Sequence, residues 1–458
     1  MKNTLVLLLA KVFEKGIMFL FFILLAQYFG KTAVGEFSYY YSIVLLLFVL
    51  LDIGGEFYQI KEFSKNENLR KFTTIFVLKS LIFLILFIFS FVLFYNIYFL
   101  ILLASYYVMS IISIFKSSMY IHGQYILDSK FIIYEKIFFI LLVLLNVTQM
   151  KQIILIYFAF LLSKLFYLLL LFNKFYKVKH IFHFIKLFDQ EYALKYITDS
   201  WSYILHSFLV VVFVQIDIIM LKMMNISFAD IGLYSVALKV YAIAIIFADI
   251  LFKQYYPIVA YYIQHNKKEQ LKQIMLKVQN TNLFFSIYFL LFTVLFAKEI
   301  IFYGFGDKFA QSGQILILLS MIIIFRFSMY SYTAILSASK LNYIKLYTSV
   351  ACTIANIVIN YFLIPIYGVY GAIVATIITE LLLVILYKVS SSKIVFLNYV
   401  TPQELFVFIT SLAIVYTFYN YNIDIAIRVF IFLILCISLA LNYKNIIKKM
   451  NFEREKNV

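Results

Sequence analysis

At 458 residues, 65% hydrophobic and only 13% charged, the chain is too apolar for a water-facing surface, since soluble domains carry roughly 45–50% apolar and about 25% charged residues. It reads as an all-α polytopic membrane protein, and its two cysteines imply no disulfide or metal framework. The net charge of +17 would suit nucleic acid, but in a polytopic protein excess lysine marks cytoplasmic loops, so no nucleic-acid partner is expected.

The opening stretch MKNTLVLLLAKVFEKG resembles a signal peptide for ten residues. It then carries Lys11, Glu14 and Lys15 and runs on without a small-residue cleavage site, so it is expected to remain in the mature protein. Apolar runs of about 20 residues, the length that crosses ~30 Å of hydrocarbon, predict about fourteen helices. The first six cover Leu5–Tyr28, Phe37–Phe57, Thr73–Tyr95, Ile97–Phe115, Phe131–Thr148 and Gln152–Phe172. Six more cover Trp201–Met224, Ile231–Phe252, Thr281–Ala297, Gly313–Leu336, Tyr343–Leu363 and Val369–Tyr387. A last pair covers Glu404–Tyr419 and Ile425–Leu441. The ninth and thirteenth are short for a crossing. The expected organisation is one six-helix bundle over 1–172, a basic linker over 173–200, a second bundle over 201–388, an extra pair over 389–442 and a basic tail over 443–458. Gly35-Glu36-Phe37-Ser38 is echoed by Gly232-Leu233-Tyr234-Ser235, which suggests two similar halves.

Charge orients this map. With the N-terminus inside, about 26 basic residues fall on cytoplasmic loops and about four (Lys31, Lys151, Lys298, Lys308) outside. Both termini are therefore expected in the cytoplasm. Phe182–Phe188, in the linker, suits either a surface-lying amphipathic helix or a plain connection.

Gly30-Lys31-Thr32 looks like the end of a phosphate-binding loop, but the glycine required five residues earlier is Leu25. No ATPase signature results. Lys179, His180 and His183 read as a solvated loop rather than a metal site. Cys352 and Cys436 read as packing residues inside helices. With no catalytic constellation, no cofactor and only short outer loops, a transporter is expected rather than an enzyme.

The informative polar residues lie within the spans, where a charge costs about 2.5–3.5 kcal/mol on insertion scales. Lys11, Glu14 and Lys15 fall close to one face of the first helix. Asp52 and Glu56 share a face near the inner end of the second. Lys79, Glu56 and Asp249, near helix ends, are read as snorkelling to the interface. Lys164, Asp217, Lys239, Arg326 and Glu380 lie deeper, in buried ion pairs or a water-filled cavity. Asp217 is placed on the cytoplasmic half of its helix and Lys239 near mid-depth. Asn356 and Asn360 form a stripe able to bond to another helix, and Pro365 stops that helix.

NIVINYFLIPIYGVYGAIVATIITE (Asn356–Glu380), DIIML with IGLYSVALK (Asp217–Lys239) and AVGEFSYYYSIVLLLFVLLDIGG (Ala33–Gly55) together resemble the polysaccharide and O-antigen (Wzx-type) flippases. That family shares a superfamily with the multidrug/toxin extruders and the lipid II flippases. The resemblance implies two six-helix bundles around a central cavity. It also implies a polyprenyl-pyrophosphate-linked oligosaccharide as substrate, membrane lipid around it, and polymerase or glycosyltransferases of the same pathway as partners. Lys11, Lys15, Lys239 and Arg326 would then supply cations to the pyrophosphate, and Glu14, Asp217 and Glu380 would serve coupling or gating. Lysine here offers a point charge where the family often has the bidentate fork of arginine. The alternatives are a cation antiporter of the extruder type and a polymerase or ligase of the same pathway.

Overall fold

The computed structural model describes residues 2–65, 67–174, 187–395, 409, 413–418, 424 and 426–434. Cys436, Lys179, His180, His183, most of the 182–188 stretch, most of the thirteenth helix and the basic tail lie outside the described residues. Among the described residues the chain is helical, without strands. It divides into two compact units, Met1–Gly232 and Leu233–Val458.

The first unit opens with α1, Lys2–Leu51, which is interrupted at Gly30 (φ 79°, ψ −177°). That backbone conformation is open to glycine and strained for other residues. The chain reverses there. Phe21 and Phe37 would sit about 24 Å apart along a straight helix, yet their rings lie 5.3 Å apart. The two expected helices are thus the arms of one hairpin. Phe21 also meets Phe139 at 5.3 Å and Phe160 at 5.2 Å, so one buried ring ties both arms to the fifth and sixth helices. After a turn comes the short α2 (Gly55–Lys65), and then α3 (Leu69–Phe94), α4 (Ile97–Ile121), α5 (Tyr125–Leu145) and α6 (Ile153–Lys174). α7 (Gln190–Met223) packs on α1 and α3 in this unit. Asp52 lies in the turn before α2 and Glu56 in its first turn. They do not share a helix face as expected, because Gly54 and Gly55 with φ of 74° and 65° break the helix between them.

The unit ends in the first turn of α8 (Phe228–Gln264). Ser227 caps it, its hydroxyl accepting from the Asp230 amide at 3.1 Å and donating to the Asp230 carboxylate at 2.7 Å. Here the echoed glycines meet. A Cβ on Gly35 would collide with the Phe228 carbonyl and lie 2.8 Å from Gly232 N, while one on Gly232 would collide with the Lys31 carbonyl and lie 3.1 Å from Gly35 N.

The second unit holds the rest of α8, with Pro257 inside it, then α9 (Lys268–Phe305), α10 (Ala310–Ala338), α11 (Asn342–Tyr367) and α12 (Val369–Ser391). α9 has 38 residues, so the ninth helix is long enough to cross; its polar N-terminal half hid it from an apolar-run reading. Amides join it to α10: Asn282 donates to the Phe327 carbonyl at 3.1 Å and to Ser331 at 2.8 Å, and Gln279 to Tyr332 at 2.8 Å. Asn360 donates to Asn356 at 2.9 Å and Asn356 to Thr379 of α12 at 3.3 Å, which is the interhelical stripe expected. Pro365 stands in the last turn of α11, ahead of Gly368. Cys352 is buried. Residues 426–434 form helix against α9, where Arg428 reaches Glu299 at 2.8 Å and the Leu295 carbonyl at 3.1 Å.

Among the described residues, ten helices, from α3 to α12, are long and apolar enough to cross a membrane. The protein is a multi-pass membrane protein.

Candidate functional site

Inside the first unit, charge is organised into three buried groups. The first joins α1, α5 and α6. Glu135, its side chain 2% exposed, holds Lys164 at 3.0 Å and Lys136 at 3.2 Å. Lys136 also reaches Glu14 on the first arm of α1 at 3.5 Å. Glu14 therefore turns to another helix, not to its sequence neighbour Lys11. Two lysines and two carboxylates leave the group neutral, which is what a low-dielectric interior demands of buried charges.

The second group surrounds the turn before α2. Lys79 is 0% exposed and donates to Asp52 at 2.6 Å, the Ser110 carbonyl at 2.7 Å and Ser113 Oγ at 2.9 Å. An ammonium has three donors, and all three are used. The Ser113 hydroxyl in turn donates to Asp52 at 2.5 Å, and Tyr196 of α7 donates to the Ile53 carbonyl at 3.1 Å. Lys79 does not snorkel, contrary to expectation; a partner 27 positions back in the chain removes the need. Asp249, by contrast, is 41% exposed beside Lys253 at 2.5 Å, in the interior of α8 and not near its end.

The third group centres on Asp128 of α5, which is fully buried. It accepts from Tyr120 at 2.6 Å and from Tyr167, and Lys116 lies 3.4 Å away. Glu135, Lys136, Lys116 and Asp128 were not singled out from sequence. The available signal was the Glu-Lys pair inside the apolar run FIIYEKIFF.

The expected site residues are distributed as follows. Lys11 and Lys15 are uncovered by protein on the first arm of α1, and neither makes an ion pair within 4 Å among the described residues. Glu14 belongs to the α1–α5–α6 group. Asp217 is buried in the last two turns of α7. Lys239 is half-buried on α8. In the second unit Arg326 of α10 is ion-paired with the fully buried Glu380 of α12, and Tyr241 of α8 hydrogen-bonds the guanidinium. The structure thus joins Arg326 to Glu380 and Glu14 to Lys136. Lys11 and Lys15 stand apart from these pairs.

The helix arrangement is similar to that of a lipid II flippase, MurJ, solved in an inward closed conformation. The TM-score is 0.70 with 17% identity, covering 97% of this chain and 100% of that one. It is also similar to a multidrug resistance transporter of the MATE family of the MOP superfamily, inward-facing, with a TM-score of 0.64, 12% identity and coverage of 88% and 96%. A MOP superfamily transporter from Pyrococcus furiosus gives a TM-score of 0.54 at 12% identity, covering 86% and 94%. At such identities the likeness is one of fold. No curated protein sequence matches. The family model described as polysaccharide biosynthesis protein matches residues 1–248; with more than half of the chain matched, it belongs to that family.

Proposed function

We propose that the chain is a flippase that moves a polyprenyl-pyrophosphate-linked oligosaccharide, such as an O-antigen, capsule or other surface-polysaccharide repeat unit, from the cytoplasmic to the periplasmic leaflet of the bacterial inner membrane by alternating access. The protein has fourteen spans, in two six-helix bundles plus a C-terminal pair, with both termini inside. The observation that carries the reading is the polysaccharide-biosynthesis family match over 1–248 on a chain whose fold matches the lipid II flippase end to end. The residues support it: Lys11 and Lys15, outside any ion pair among the described residues, offer cations to a pyrophosphate, with Lys239 and Arg326 further along the chain. Glu14, Asp217 and Glu380 are the groups for coupling or gating. An inside-negative potential favours the direction, since moving ~2 negative charges outward is downhill by about 4–5 kcal/mol per ~100 mV.

An extruder of cationic drugs needs free acids. Glu14, Glu135, Asp52, Asp128 and Glu380 each face a base, which weakens that alternative. Deletion should make lipid-linked repeat units accumulate on the cytoplasmic leaflet. Units that reach the periplasmic face unpolymerised would favour the polymerase reading instead. Lys15→Ala and Lys239→Ala should each cut complementation by about tenfold or more at normal expression, the scale of a lost charge-assisted contact. Full complementation by both would show these lysines idle.

A further inference from the structure

The α1–α5–α6 group is neutral but not symmetrical. Glu135 bridges both lysines at 3.0 and 3.2 Å and is enclosed, its side chain 2% exposed. Glu14 touches Lys136 alone, at 3.5 Å, the longest ion-pair distance of the set, and is 31% exposed, the most of the four. Without Glu14 the enclosed remainder is two ammonium groups on one carboxylate, a net cation with one coordination position to fill. Glu14 fills it from a different helix, on the side from which the group can be reached.

We propose that Lys136 and Lys164 form a second, deeper binding site for the diphosphate headgroup, and that Glu14 is its built-in competitor. The headgroup's oxygens take the place of the Glu14 carboxylate on Lys136 while Glu135 continues to hold both lysines. This deepens the flippase reading and rests on it. Exchange solves an energetic difficulty: a buried ammonium is never bare, because one anion leaves only as another arrives. No bond is made or broken. Lys11 and Lys15, uncovered on the same arm of α1 as Glu14, hold the headgroup beforehand, so the displaced carboxylate is left beside cations rather than in lipid.

The test uses the full chain in detergent and farnesyl diphosphate as the probe, with affinity measured by titration calorimetry. Glu14→Gln should bind about tenfold more tightly, because the competitor is gone, and Lys136→Gln about tenfold more weakly, with Lys136→Arg near wild type. Where a variant fails to give a monodisperse protein, Glu14→Asp, one methylene shorter, should also tighten binding. Weaker or unchanged binding in the Glu14 variants would overturn the competitor role. Farnesol separates this proposal from the reading beneath it. If the wild type binds farnesyl diphosphate no better than farnesol, both fall; if it prefers the diphosphate and no variant shifts the affinity, only this site falls. The same dependence on Glu14 with a short-chain phosphatidylglycerol would show a general phosphate-lipid site and overturn the diphosphate assignment.

Discussion

Removing either Asp52 or Lys79 alone should destabilise the protein severely, and removing both should restore much of the loss. Lys79 has no exposure and spends its three donors on Asp52, the Ser110 carbonyl and Ser113. Asp52→Asn leaves that ammonium without its counter-charge, and Lys79→Met leaves the carboxylate with only hydroxyl and amide donors. Orphaning one member of a buried pair costs about 3–5 kcal/mol. The double variant orphans nothing: methionine fills the space of the lysine stem, and the asparagine amide can still bond Ser113. It should lie well above the sum of the single losses, with a coupling of about 2 kcal/mol. Apparent melting temperature in detergent, followed by the loss of monodisperse protein on heating, reads the effect. Single variants that melt with the wild type would show that water reaches Lys79, and additive losses in the double variant would show that the two residues act separately. The consequence reaches α7 as well, since Tyr196 holds the same turn through the Ile53 carbonyl.

This pair also marks where sequence reading stops. Helix positions were largely legible, because a run of apolar residues long enough to span hydrocarbon has few other solutions. The exceptions have local causes. Thr281–Ala297 is only the apolar part of α9, whose first half is polar enough to resemble a loop. Asp52 and Glu56 looked like one helix face because four-residue spacing implies it, and two glycines of positive φ cancel the implication. Partners were less legible than positions. Lys79 and Asp52 are 27 positions apart, and nothing local distinguishes a lysine that snorkels from one that is met by a carboxylate. Glu135 and Lys136 were illegible for a related reason. Neighbours on a helix point in different directions, so an adjacent acid and base are not expected to serve one site. Here both do, because Lys164 and Glu14 approach from α6 and α1. Arg326 and Glu380 were both legible as deep charges; that they pair could only be seen in the fold.

The echo between Gly35 and Gly232 leads to the second large effect. In the first unit each glycine faces the carbonyl of the residue four positions before the other: Gly35 faces Phe228, and Gly232 faces Lys31. Backbone meets backbone, so no side chain can swing aside to admit even a methyl group. Gly35→Val or Gly232→Val should cost more than about 3 kcal/mol, above the usual range for an overpacked core, because relief requires two helices to separate. The alanine variants should show the same defect in milder form. Gly16, on the other arm of α1, provides the control: a Cβ there meets nothing within 4 Å, and Gly16→Ala should extract as the wild type does, or slightly better, since alanine suits a helix interior. The fraction of protein recovered as a monodisperse species from detergent extracts is the measurement. Wild-type recovery of Gly35→Val would mean that the crossing opens freely, and the close approach would then be incidental. Loss at both glycines and not at Gly16 would give the repeat a physical meaning: the two segments resemble each other because each must be flat where it presses on the other.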